Sequence, residues 1–140
     1  MQVFQNSNKQ GDCGLGNAIS YFTSLGYTVA TPLTDSQVYD LVVDYNSGPV
    51  LGLKRVQVKT SKSTTEAGVF KVKLSTTQRW GKEPFDRNKV DYVFVLDNED
   101  GRWLIPAQSI DATSKIHLSG KYKEYKLASV PFSTPIPVNY

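Results

Sequence analysis

Two runs rich in β-branched residues, Leu41-Val42-Val43-Asp44-Tyr45 and Leu53 to Thr60, are separated by Asn46-Ser47-Gly48-Pro49. A turn cluster of that composition between two such runs marks a β-hairpin. In an antiparallel pair, the residue numbers of cross-strand neighbours add to a nearly constant value that the turn sets. With the turn centred near Gly48 and Pro49, Asp40 falls opposite the region of Gln57 to Lys59. Side chains alternate along a strand, so Gln57 and Lys59 project from one face while Val56 and Val58 project from the other. A carboxylate, an amide oxygen and an ammonium group are therefore expected to converge.

The rest of the chain supplies ordinary elements around this hairpin. From Asp12 to Leu25, apolar residues at Leu15, Ala18, Ile19, Phe22 and Leu25 follow the spacing of an amphipathic helix. Asp12 is placed to cap its start and Gly26 to stop it. Tyr27 to Ala30 predicts a short strand ended by Pro32, and Val69 to Leu74 alternates apolar and basic residues as a half-buried strand does. Ser75 to Lys89, with Gly81, Pro84 and mixed charge, predicts a loop. Val90 to Leu96 and Arg102 to Ile105 form a strand pair about the turn Asn98-Glu99-Asp100-Gly101. The tail from Ser114 to Tyr140 reads as less regular, with prolines 131, 135 and 137 giving an extended ending. The patterning gives an α+β chain, 1–140 as a single domain, with antiparallel pairing at its centre.

Each residue of the convergent set suits one task. Asp40 offers a hard carboxylate oxygen, the preferred ligand of Mg²⁺. Gln57 offers a neutral amide oxygen that completes a coordination sphere or orients a water. Lys59 can lie beside a scissile phosphate and stabilise developing negative charge. These parts serve metal-assisted phosphodiester hydrolysis. The bland alternative is an exposed hairpin with a salt bridge between Asp40 and Lys59.

A resemblance adds to this. Gly11-Asp12, Gly26-Tyr27-Thr28-Val29, Pro32-Leu33-Thr34-Asp35, Tyr39-Asp40-Leu41-Val42-Val43 and Val56-Gln57-Val58-Lys59-Thr60 occur in that order. Together they resemble the PD-(D/E)XK endonuclease family, in the branch of the group I intron homing endonucleases that carries glutamine in the second half of its motif. Val90 to Val95 and Trp103-Leu104-Ile105-Pro106 look like that family's later strands. The resemblance implies a restriction-endonuclease-like core, a mixed central β-sheet flanked by helices. It implies a Mg²⁺-dependent DNA endonuclease, with Mn²⁺ able to substitute, acting on double-stranded or branched DNA as a homodimer. It maps the metal-binding aspartate onto Asp40, the auxiliary residue onto Gln57 and the catalytic lysine onto Lys59. One departure stands out: the branch's helical glutamate falls at Leu15. Asp12, one turn earlier, is the substitute metal ligand or simply a helix cap.

Composition sets the limits of this reading. A single cysteine, Cys13, excludes an internal disulfide and a thiolate-rich zinc site, and a single histidine, His117, makes a His-based site hard to build. No run of about 18 apolar residues could span a membrane. The polar stretch Met1 to Asn8 lacks the apolar segment of a secretory signal, which gives an intracellular, cytoplasmic expectation and leaves phage or mobile-element origin open. The net charge of +3 is mild, yet basic residues crowd the middle of the chain. Lys54, Arg55, Thr60, Ser61, Lys62, Arg79 and Lys82 are the candidate phosphate contacts, or else solvated surface. Trp80 among them either anchors its loop to the core or stacks on a base. Asp35 and Asp91 read as structural, Asp35 shaping the turn after Pro32. A rival reading keeps the fold and drops the chemistry: a DNA-binding or protein-interaction module on an inactive nuclease core, with Leu15 its best argument.

Overall fold

The computed structural model describes residues 7–46 and 51–128. In chain order it holds α1 (Ser7–Ser24), β1 (Thr28–Ala30), β2 (Leu41–Asp44), β3 (Leu53–Thr60), β4 (Ser63–Thr64), β5 (Phe70–Lys73), β6 (Thr76–Gln78), β7 (Gly81–Glu83), β8 (Tyr92–Leu96), β9 (Arg102–Pro106) and β10 (Lys115–His117). Short 3₁₀ turns follow β9 and β10. No helix is long and apolar enough to cross a membrane among the described residues.

Helix α1 begins at Ser7, five residues before the predicted start at Asp12, so Asp12 sits inside the helix and not at its cap. The first turn is polar and carries little periodic signal, although Gln10 within it is buried. The C-terminus ends as expected. Gly26 has φ 86°, its N–H reaches the Thr23 carbonyl at 3.0 Å, and the Tyr27 N–H reaches the Phe22 carbonyl at 3.2 Å. That bond pair is the Schellman closure, and Tyr27 and Phe22 share one apolar cluster, the contact that accompanies it. Gly14 is needed for a different reason. A β-carbon there would lie 2.7 Å from Thr60 Cγ2, so its absence lets α1 settle directly on β3.

The main sheet has strand order β1-β2-β3-β8-β9. The β2–β3 hairpin forms with Leu41 opposite Val56 and Asp44 opposite Leu53, the predicted register. Of its turn cluster, Ser47, Gly48 and Pro49 lie outside the described residues. β8 and β9 pair antiparallel as read from the sequence. β3 and β8, however, run parallel, with Val56 beside Tyr92 and Thr60 beside Leu96. The sheet is therefore mixed, as the resemblance implies and as strand patterning alone did not show. A parallel pair needs a long crossover, usually a helix. Here the crossover consists of β4 to β7.

The two faces are covered differently. α1 lays Ala18 and Phe22 on Leu41, Val43, Tyr45, Val56 and Phe94. The opposite face, with Val93, Val95, Trp103 and Ile105, packs against Val72 and Leu74 near β5 and Ile116 of β10. That second layer is a three-stranded sheet ordered β10-β5-β4. Two expectations change here. The stretch read as a loop, Ser75 to Lys89, contains the β6–β7 hairpin, whose three-residue strands are too short to show a period. The tail read as irregular contributes β10, which pairs with β5; its prolines 131, 135 and 137 lie outside the described residues.

Candidate active site

The site arises where two strands end unevenly. β2 starts at Leu41, while β3 continues past its level to Thr60, so β3 outruns its partner. Asp40, the residue before β2, fills the gap. Its backbone N–H still donates to the Val56 carbonyl at 2.9 Å, and its carboxylate Oδ2 accepts the Val58 N–H at 2.7 Å. The side chain thus finishes the ladder that the backbone leaves open, and that bond fixes its orientation.

Gln57 lies opposite Asp40 and points into the face away from α1, only 4% exposed. Its Nε2 donates to the Val38 carbonyl at 3.0 Å. Oε1 is buried and accepts from no donor. An orphan buried oxygen costs free energy of about 1–3 kcal/mol. It fits a hard cation, or a water held by one, and Asp40 offers a carboxylate at the same level of β3.

Lys59 is partly buried on the face of Gln57. Burial holds its proton affinity below the ordinary lysine value, Asp40 opposes that shift, and Lys73 adds to it. Asp40 moves the other way. Solvent reaches it from one side, yet the protein around it withdraws water and raises its carboxyl above the ordinary range, against the pull of the Val58 N–H and Lys59. The two side chains feel each other, but no ion pair among the described residues joins them. The salt-bridged hairpin of the bland reading is not what forms.

Asp12 is not brought to this cluster. Gly14, two positions along α1, faces Val58 and Thr60, and a step of two residues turns a helix side chain roughly 200° away. Asp12 is exposed accordingly. Leu15 is partly buried against the α1-side core. Among the described residues no group of three or more His, Cys, Asp or Glu side chains could hold a metal ion. Asp40 and Gln57 are the oxygen donors here that could hold an ion, with substrate and water completing its shell.

The candidate phosphate contacts separate into three sets. Thr60, Lys62 and Lys82 line one groove of about 530 Å³, together with Lys71, Lys73 and Lys115. Arg79 is exposed at the β6–β7 turn. The others lie outside that groove. Arg55 binds Asp91 through its Nε at 3.2 Å, and Asp91 also accepts the Arg55 backbone N–H at 2.7 Å. Although burial opposes it, hydrogen bonding from Arg55 holds the Asp91 carboxyl below its ordinary value. Ser61 is buried and donates its hydroxyl to the Lys71 carbonyl at 2.7 Å. Lys54 pairs across from Val43, on the α1 side of β3. Asp35 is exposed, and His117 is an exposed strand residue opposite Lys71. Cys13 is partly buried in α1.

The groove also contains residues that local reading missed. Lys115 stands directly opposite Lys73 in the β10–β5 pair. Like charges in that position are destabilising, and an anion placed between them would relieve the repulsion. Nothing local to Lys115 signals this, because the pairing joins segments distant in sequence.

Three comparisons with known proteins bear on this geometry. A sequence model of the PD-(D/E)XK endonuclease family matches residues 5–130. The solved structure of a bacterial homing endonuclease, I-Ssp6803I, superposes with a TM-score of 0.68 at 25% identity, covering 86% of this chain and 87% of that one. Among curated proteins, none matches.

Proposed function

The chain belongs to the PD-(D/E)XK endonuclease family, and on that premise we propose that it hydrolyses DNA phosphodiester bonds with Mg²⁺ held by Asp40 and Gln57 and with Lys59 beside the scissile phosphate. One observation supports this reading above the others: Oε1 of Gln57 is buried without a donor, on the strand that carries Lys59 and holds the Asp40 carboxylate through the Val58 N–H.

A bound divalent ion supplies Lewis-acid polarisation of the phosphate and a more acidic water. The chain's own groups do the rest. Val58 N–H keeps Asp40 turned toward the site, and Val38 keeps the Gln57 amide from rotating. Lys59 stabilises charge on the phosphoryl oxygens as it develops. The lysine groove running from Lys73 to Lys115 holds the flanking backbone, where neutralised phosphates release counterions and make affinity salt-dependent. A homodimer would supply one such site for each strand of a duplex.

The test offers supercoiled plasmid, long linear duplex and a four-way junction with Mg²⁺, Mn²⁺ or EDTA. Metal-dependent cleavage of at least one is expected, and the preferred substrate separates homing, restriction-type and junction-resolving roles. A second reading, a DNA-binding module without activity, draws on Leu15 and on the absence of an acidic cluster among the described residues. It predicts binding and no cut product in any lane, which would sink the enzyme reading.

The groove makes its own prediction. Lys73→Ser and Lys115→Ser should each lower the slope of log affinity against log salt by about 1. Each should leave the melting temperature equal or slightly raised, because a like-charge pair is relieved. An unchanged salt slope in both variants would remove the groove from the interface.

A further inference from the structure

The β6–β7 hairpin leaves a large aromatic in water. Gln78 pairs with Gly81, so Arg79 and Trp80 form its two-residue turn. Trp80 is 80% exposed, whereas Trp103 is 4% exposed and donates its Nε1–H to Asp97. The reading of Trp80 as a core anchor therefore fails. The fold has already placed Phe85 and Leu74 in the adjoining core, so hairpin stability does not call for an indole at the tip. Position matters as much as exposure. On one side of the hairpin, Lys82 lines the lysine groove with Lys62 and Lys73. On the other, Trp80 and Gln78 line a second groove with Tyr39, the neighbour of Asp40, where Arg55 and Lys89 are offset by Asp35 and Glu83. Lys73 in turn acts on Lys59. The hairpin thus borders both grooves, with Arg79 just before its aromatic and Lys82 two residues after it.

We propose that this hairpin is a DNA groove probe, in which Trp80 stacks on a base step while Arg79 and Lys82 contact the bordering phosphates. The proposal rests on the nuclease reading above, since it takes the cleaved duplex as the occupant. Its chemistry is that of aromatic wedges and stacking platforms, which accept any base because every base has a π-face. A protein partner would fit the indole but would not call for Arg79, Lys82 and the lysine groove on the hairpin's other side.

The experiment uses full-length protein carrying Lys59→Met, so that DNA is bound without being cut. Binding to a short mixed-sequence duplex and to heparin is followed by tryptophan fluorescence and by anisotropy of labelled ligand. Duplex should quench Trp80 strongly, and heparin, which has charge but no bases, should not. Trp80→Ala should weaken duplex binding by about 5-fold to about 100-fold and leave heparin binding unchanged, with Trp80→Phe retaining most of the affinity. Equal duplex affinity for Trp80→Ala and its parent overturns the proposal, as does a change confined to the oligomeric state of Trp80→Ala. If wild-type protein still cuts DNA in that case, only the hairpin's role has fallen. Absence of duplex binding by the parent, with no cleavage by wild type, would remove both.

Discussion

Lys59→Met is expected to slow DNA cleavage by at least about a hundred-fold to about a thousand-fold, the loss seen when one preorganised charge-stabilising group is removed. The same variant should melt at a higher temperature than wild type. Lys59 is partly buried, and that burial outweighs the attraction of Asp40 in setting its proton affinity below the ordinary value. The folded state therefore carries a penalty for the charged form, which methionine of similar length does not. The sign of the pH dependence follows. A lysine with a depressed folded-state value destabilises the fold in full below that value, and the penalty fades as pH rises toward the unfolded value. The thermal advantage of Lys59→Met should thus be largest at neutral pH, about 1 kcal/mol or a few °C, and shrink in alkaline buffer. Differential scanning in EDTA checks this without metal, and single-turnover kinetics with Mg²⁺ checks the chemistry. A variant that cuts at the wild-type rate ends the assignment of Lys59; one that is both inactive and markedly less stable points to a structural role.

The β2–β3 hairpin was legible because its information is local: a turn cluster, two β-branched runs and a fixed side-chain alternation. Asp40, Gln57 and Lys59 fell out of that geometry, and the observed register places Asp40 opposite Gln57 by extension of the Leu41–Val56 pair. What stayed hidden depends on partners far along the chain. The parallel β3–β8 pair joins strands separated by the whole β4 to β7 crossover, and Lys115 meets Lys73 only because β10 adds to β5. The Asp40–Val58 bond was hidden for another reason. It needs the unequal strand ends, and strand ends are where pattern reading is least sharp. The two readings of Trp80 stayed open for the same kind of reason, because exposure is a property of the whole surface and not of the local segment.

Asp40→Asn and Asp40→Ala should both abolish metal-dependent cleavage, by about a thousand-fold or more, because several kcal/mol of charge stabilisation pass through the ion that Asp40 would hold. They should differ in stability, and the difference isolates the two jobs of this side chain. Asparagine keeps an acceptor for the Val58 N–H and sheds the charge, whereas alanine leaves that N–H to water at a cost of about 0.5–1.5 kcal/mol. Burial raises the Asp40 carboxyl above its ordinary value, in spite of the Val58 bond and Lys59. A group raised in this way contributes stability below its unfolded value and loses it as pH climbs through the folded one. In EDTA, wild type and Asp40→Asn should therefore match in acid and part at neutral pH, with the asparagine variant higher. Mg²⁺ should then raise the melting temperature of wild type, by about 2.7 kcal/mol of stabilisation at a hundred times its dissociation constant. It should leave Asp40→Asn unmoved. A wild-type protein that ignores Mg²⁺ in the melt, yet still cuts DNA, would mean that substrate phosphate recruits the ion. If Asp40→Asn instead gained as much from Mg²⁺ as wild type, the ion would bind elsewhere, and Asp40 would be left with its strand-capping bond alone.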